Sequence, residues 1–170
     1  TLSEEDFTVF KSVLIGAIDE LNKHRMEEGT SLYNDLVTRI NNIRQQEEAI
    51  LQFEPQRKQR IRSEINLLLE EHVGKENIDN NRMEQELIYY MEKIDIHEEQ
   101  IRLKQHCDYF LEILTDKEIS KGKKLSFIAQ EIGREINTIG SKSNDAAMQK
   151  IVVDMKDDLE KIKEQVLNII

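Results

Sequence analysis

Glu131 and Glu135 stand four residues apart in a stretch with helical periodicity. That spacing puts two carboxylates on one edge of a rigid helix, where they can share a divalent cation. A second group lies upstream. Asp95, Glu99, Arg102 and His106 fall within about a 60° arc at helical pitch, and Glu98 sits inside the apolar face where a hydrophobe is expected. Carboxylates, a guanidinium and an imidazole on one strip can bind a metal, grip a phosphate or move a proton. A solvated ladder of ion pairs would present the same residues.

Three further polar features interrupt apolar patterns. Arg25 and Glu28 occupy positions where the first helix should continue its stripe, and an ion pair at i,i+3 accounts for them as well as a site does. Arg134 and Asn137 face another side of the helix that carries Glu131. The turn Gly140-Ser141-Lys142-Ser143 offers hydroxyls, a lysine and free amides ahead of the last helix, as either an anion site or a plain cap. Arg57, Lys58, Arg60 and Arg62 form the densest basic stretch, with Lys121, Lys123 and Lys124 a second; a solvated face is expected for both. His97-Glu98-Glu99 lacks the second histidine of a zincin. Neither a phosphate-binding glycine loop nor a Ser/His/Asp or Cys/His arrangement is present.

The elements that must carry these residues are all helical. Ser3 opens the first helix, with Glu4, Glu5 and Asp6 at the positive end of its dipole. Its stripe runs Phe7, Phe10, Leu14, Ala17, Leu21, then Leu32, Leu36, Ile40, Ile43 and Ile50. Pro55 is expected to interrupt it, leaving a second helix through Ile61, Ile65 and Leu68 to a cap at Gly74. A loop follows over 75–81. A third helix is expected from Asn80 or Asn81 to about Leu114, then a break over 115–123. A short helix over about 124–139 carries Leu125, Ile128, Ile132, Ile136 and Ile139 and closes at Gly140. Ser143 or Asn144 caps the last helix. There Met148, Val152, Met155, Leu159, Ile162, Val166 and Ile169 alternate by four and three, a coiled-coil-like seam of about three heptads.

The fold class is therefore all-α: long antiparallel helices forming an extended helical bundle with a C-terminal coiled-coil-like helix, in a single helical domain over 1–170. The seam requires a partner helix in the chain or in a sister subunit. The chain opens at Thr1 without Met and reads as helix almost at once, so an upstream region is expected. Composition agrees: 38% hydrophobic and 34% charged, with one Pro, in 170 residues. No apolar run approaches the roughly 18 residues of a membrane span. A lone cysteine, Cys107, excludes an internal disulfide and reads as a small buried hydrophobe. The net charge of −10 opposes non-specific binding to a polyanion, and the absence of Trp removes the strongest stacking surface.

The run NRMEQELIYYMEKIDIHEEQIRLKQH, Asn81 to His106, resembles a helix of the YicC-like endoribonuclease family. GKKLSFIAQEIGREINTIGSKSNDA, Gly122 to Ala146, resembles that family's second signature, and HRMEEGTSL (His24 to Leu32) and EQVLNI (Glu164 to Ile169) match as well. Ile170 stands where the family has an acidic residue. The resemblance covers essentially the whole chain and makes it the C-terminal helical portion of a longer protein with an additional N-terminal domain. It implies a cytoplasmic bacterial endoribonuclease acting on RNA, a homo-oligomer and expected hexamer, and a divalent cation, Mg²⁺ or Mn²⁺. In that frame Glu98, Glu131 and Glu135 hold the metal, directly or through water. Arg102, Arg134 and Lys142 position phosphate oxygens, Arg25 adds RNA contact, and His106 or Glu99 is the general base or acid. The competing expectation is a non-catalytic oligomerisation or adaptor module of an RNA-processing protein. The acidic balance further predicts that this portion alone binds RNA weakly.

Overall fold

The architecture was analysed in a computed structural model that describes residues 3–116, 121–143 and 145–169. Five α-helices and one 3-10 turn follow in order: α1 Glu4–Val73, the turn Lys75–Asn77, α2 Asn80–Ile94, α3 His97–Thr115, α4 Gly122–Lys142 and α5 Ala146–Val166. No strand occurs among the described residues, and the protein is an all-α helical bundle. Two compact units are distinguished, Thr1–Thr38 and Arg39–Ile170.

In the N-terminal unit, Ser3 begins α1 as its sequence requires. Its Oγ accepts from the Asp6 amide at 3.2 Å and donates to Asp6 Oδ2 at 2.7 Å, which satisfies an otherwise unpaired amide of the first turn. The apolar stripe Phe7, Phe10, Leu14 and Leu21 is exposed.

The C-terminal unit holds a continuous core. Ile40, Ile43 and Ile50 of α1, Leu103, Cys107 and Phe110 of α3, Leu125, Ile132, Ile136 and Ile139 of α4, and Met148, Met155 and Ile162 of α5 are fully or almost fully buried. Helix α4 is central, packing on α3 along one flank and on α5 along the other. Pairs such as Glu99 with Lys142 across α3 and α4 show that these neighbours run antiparallel. Close approach of α4 to α5 depends on glycine. A Cβ on Gly133 would stand 3.1 Å from Leu159 Cδ2, one on Gly140 3.0 Å from Val152 Cγ1, and one on Gly122 2.5 Å from the Ile169 carbonyl oxygen. The seam of α5 is therefore covered within the chain, with Met148, Val152, Met155, Leu159, Ile162 and Val166 all buried.

Four expectations about element boundaries are corrected. Pro55 lies inside α1 rather than ending it. It forfeits one backbone bond, but its neighbours Glu54 and Arg57 are buried and bonded to each other at 2.7 Å, and tertiary bonds from Arg57 hold the turn in place. The expected single helix over 81–114 breaks at Asp95, whose backbone is extended (ψ 135°). Asp95 Oδ1 accepts from Lys58 Nζ at 2.8 Å and Oδ2 accepts from the His97 amide at 3.2 Å, so its carboxylate caps α3 instead of lying on that helix's strip. Helix α4 runs through Gly140 to Lys142, so its last turn stands where a helix end at Gly140 and a turn serving as anion site or plain cap were expected. Finally, α5 is capped by Asp145, which accepts from Ala147 N at 2.8 Å and Met148 N at 3.1 Å. Those amides are thus occupied by an internal carboxylate. Asn144, the alternative cap, lies outside the described residues. By contrast, Gly74 ends α1 with φ of 83°, as a C-terminal glycine should.

Candidate functional site

The packing of α3 on α4 brings two polar edges together. Leu103, Cys107, Phe110 and Leu114 of α3 and Leu125, Ile128, Ile132, Ile136 and Ile139 of α4 interlock. This fixes the helices in register and leaves Glu99, Arg102 and His106 of α3 opposite Glu131, Glu135 and Lys142 of α4.

Glu135 is the centre of this strip. It is 8% exposed, and burial pushes its carboxyl above the ordinary glutamate range. The charges of Arg102 and His106 pull it back down, while Glu99 and Glu131 push it further up. A buried carboxyl facing a guanidinium, an imidazole and two other carboxylates is the kind of group that proton exchange or cation binding uses. Glu99 is also buried. Its Oε1 accepts from Lys142 Nζ at 2.7 Å, and its buried Oε2 has no hydrogen-bond partner. Glu131 Oε1 stands 2.8 Å from Arg134 Nη1 but off the line of its N–H, so it too lacks a formed hydrogen bond.

The remaining site candidates are placed less centrally. Glu98 is bonded to Arg102 one turn on, with its side chain 70% exposed; it faces outward while Glu99 faces in. Arg134 is exposed. Lys142 Nζ donates to the Asp95 carbonyl at 2.9 Å as well as to Glu99. Arg25 belongs to the N-terminal unit and is exposed, and Glu28 lies 3.5 Å from His24 Nε2.

Among the described residues, no three His, Cys, Asp or Glu side chains gather closely enough to hold a metal ion by themselves. Mg²⁺ is usually held by one or two carboxylates, with water and substrate phosphates completing the shell. Glu131 and Glu135 offer carboxylate oxygens, the ligand type that Mg²⁺ and Mn²⁺ take.

Beside this strip stands a group whose role was not legible in the sequence. Arg57, expected on a solvated basic face, is 2% exposed. Its Nη2 donates to the Ile94 carbonyl at 2.8 Å and its Nη1 to the Lys142 carbonyl at 3.1 Å. Lys58 pairs with Asp95, Arg60 with Asp145 and Arg62 with Glu84. The basic stretch of α1 is a set of cross-links to the ends of α2, α4 and α5. Their partners lie 22 to 85 residues away, a distance over which spacing carries no signal.

Residues 48–170 match the family model described as endoribonuclease YicC-like, C-terminal. The chain belongs to the YicC-like endoribonuclease family. It is 36% identical over 171 residues to a probable endoribonuclease YicC of Clostridioides difficile, and 32% identical over 177 residues to one of Haemophilus influenzae. In each case the alignment takes in 98% of this chain and 58% of the relative, so the chain spans little more than half the length of these YicC proteins. The YicC-like match includes every element of the α3–α4 strip. No helix among the described residues is long and apolar enough to cross a membrane.

Proposed function

We propose that this chain carries the catalytic carboxylates of a metal-dependent endoribonuclease that hydrolyses RNA phosphodiester bonds. The observation that carries the reading is buried Glu135, within electrostatic reach of Glu99, Glu131, Arg102 and His106 from two packed helices. Family membership and the relatives' name, probable endoribonuclease, support RNA as the substrate.

In this reading Glu98, Glu131 and Glu135 would hold Mg²⁺ or Mn²⁺, directly or through water. A cation held there would supply Lewis acidity toward a phosphate. Arg102 and Arg134 orient non-bridging phosphate oxygens, Arg102 by leaving the exposed Glu98 when a phosphate arrives. Lys142 holds Glu99 in place and presents positive charge to the backbone, and Arg25 contributes to the RNA path. Glu99 or His106 serves as general base or acid. The exposed stripe Phe7, Phe10, Leu14 and Leu21 supports a homo-oligomer, with the hexamer as the expected form, and a cytoplasmic enzyme is the corresponding location.

One set of contacts favours the other reading, a helical oligomerisation or adaptor module. Glu98 and Glu131 each have a cation on their own helix, Arg102 and Arg134, as in a structural ladder. Cleavage of a structured RNA by the full-length protein separates the two. Glu131→Gln and Glu135→Gln, made singly, should each lower kcat by about 100-fold or more while RNA binding persists. Unchanged cleavage by both would place the chemistry outside these helices and leave the structural module.

A further inference from the structure

We infer that Arg57, a residue of α1, is a positioning residue for the α3–α4 strip, acting through Lys142 on Glu99. The inference rests on the proposed reading of that strip.

The last carbonyls of a helix have no intrahelical donor and carry its negative dipole, so a cation is favoured there. Helices α2 and α4 end side by side, and their terminal carbonyls are claimed by two cations. Arg57 donates to Ile94 O at the end of α2 and to Lys142 O at the end of α4. Lys142 donates to Asp95 O, the next carbonyl of the same chain end. One guanidinium therefore fixes the backbone of Lys142 against the α2–α3 break, while the Lys142 ammonium bridges that break to Glu99 Oε1 at 2.7 Å. Glu54 Oε1 accepts from Arg57 Nε at 2.7 Å and holds the fork in plane.

The consequence falls on Glu99. One Glu99 oxygen is held by Lys142 and the other is buried without a hydrogen bond, so that ion pair is the contact that holds the carboxylate in place. Its direction is set by where Lys142 sits, and that is set by Arg57. A lysine at position 57 has no planar fork and cannot span both carbonyls and Glu54 with the same geometry.

The test uses the full-length protein and a structured RNA, with kcat and KM measured separately below the melting temperature of each variant. Glu135→Gln serves as the control on the site itself. Arg57→Met combined with Glu54→Gln removes the fork without stranding a buried charge. The expected result is a kcat reduced about 10- to 100-fold, as for a misplaced reacting group, with KM within about twofold of the parent. Arg57→Lys should restore kcat only in part. If the double variant fails to fold, Arg57→Lys decides alone: reduced kcat at constant KM supports the inference, and parental kcat overturns it. Loss of activity in Glu135→Gln with parental kcat in the Arg57 variants overturns the positioning role and leaves the site standing. Parental activity in Glu135→Gln overturns the site and this inference together.

Discussion

Glu135 is expensive to keep. Burial raises its carboxyl, so at neutral pH the ionised form is worse placed in the fold than in the unfolded chain. The sign of the linkage follows. A raised carboxyl subtracts stability above its folded pKa, and the loss disappears once pH falls below the ordinary value of 4.5. Glu135→Gln should therefore raise the melting temperature at pH 7, and the gain should vanish in melts below pH 4.5. A stabilising change that also removes activity marks a residue kept for chemistry rather than for packing. Mg²⁺ or Mn²⁺ should reverse part of the penalty in the parent chain but not in the variant, which is visible in the same melts. Asp145 has the opposite linkage. The Met148 amide, and behind it the Arg60 guanidinium, hold its carboxyl below the usual range. That stabilisation is present above pH 3.8 and fades as pH falls through the lowered value. Asp145→Ala should cost about 0.5–2 kcal/mol at pH 7, with the difference shrinking below pH 4.

At the scale of elements, the packing of α4 decides whether the strip exists. Its stripe of isoleucines meets α3, and its glycines admit α5. Ile136, fully buried, lies one residue from Glu135, and Ile136→Ala should cost about 2–5 kcal/mol. Gly122 has no room for a side chain, because the obstructing atom is the Ile169 carbonyl oxygen and not a movable side chain. Gly122→Ala should destabilise by about 1–3 kcal/mol in chemical denaturation. The periodicity of α4 and α5 was legible from spacing because each apolar face is uniform and buried in the chain. The break at Asp95 was not, since the carboxylate that receives the His97 amide there is also held by Lys58, arriving from 37 residues away. Pro55 misled for the same reason: a local rule was overridden by Arg57, which also bonds the ends of α2 and α4. The polar strip was readable as a set of residue types on one face. That Glu99 rather than Glu98 turns inward was not, because the helix restarts at His97 and changes the phase of everything after it.

For the molecule as a whole, charge sets the limits. A net charge of −10 repels a polyanion, and Arg57, Lys58, Arg60 and Lys142 are committed to partners within the chain. This chain alone should bind RNA weakly, and a fluorescence titration at rising salt should show little affinity to lose. Tight binding with a steep salt slope would mean that a phosphate-contacting surface exists here. The central claim, that the α3–α4 strip performs RNA cleavage, is tested most directly with an internally labelled, structured RNA and the full-length protein in Mn²⁺ or Mg²⁺. A folded Glu98→Gln, Glu135→Gln variant is run in parallel. Cleavage by the parent that disappears with chelator and in the variant is the predicted result. Equal cleavage by both proteins would contradict it and leave these helices as an assembly scaffold.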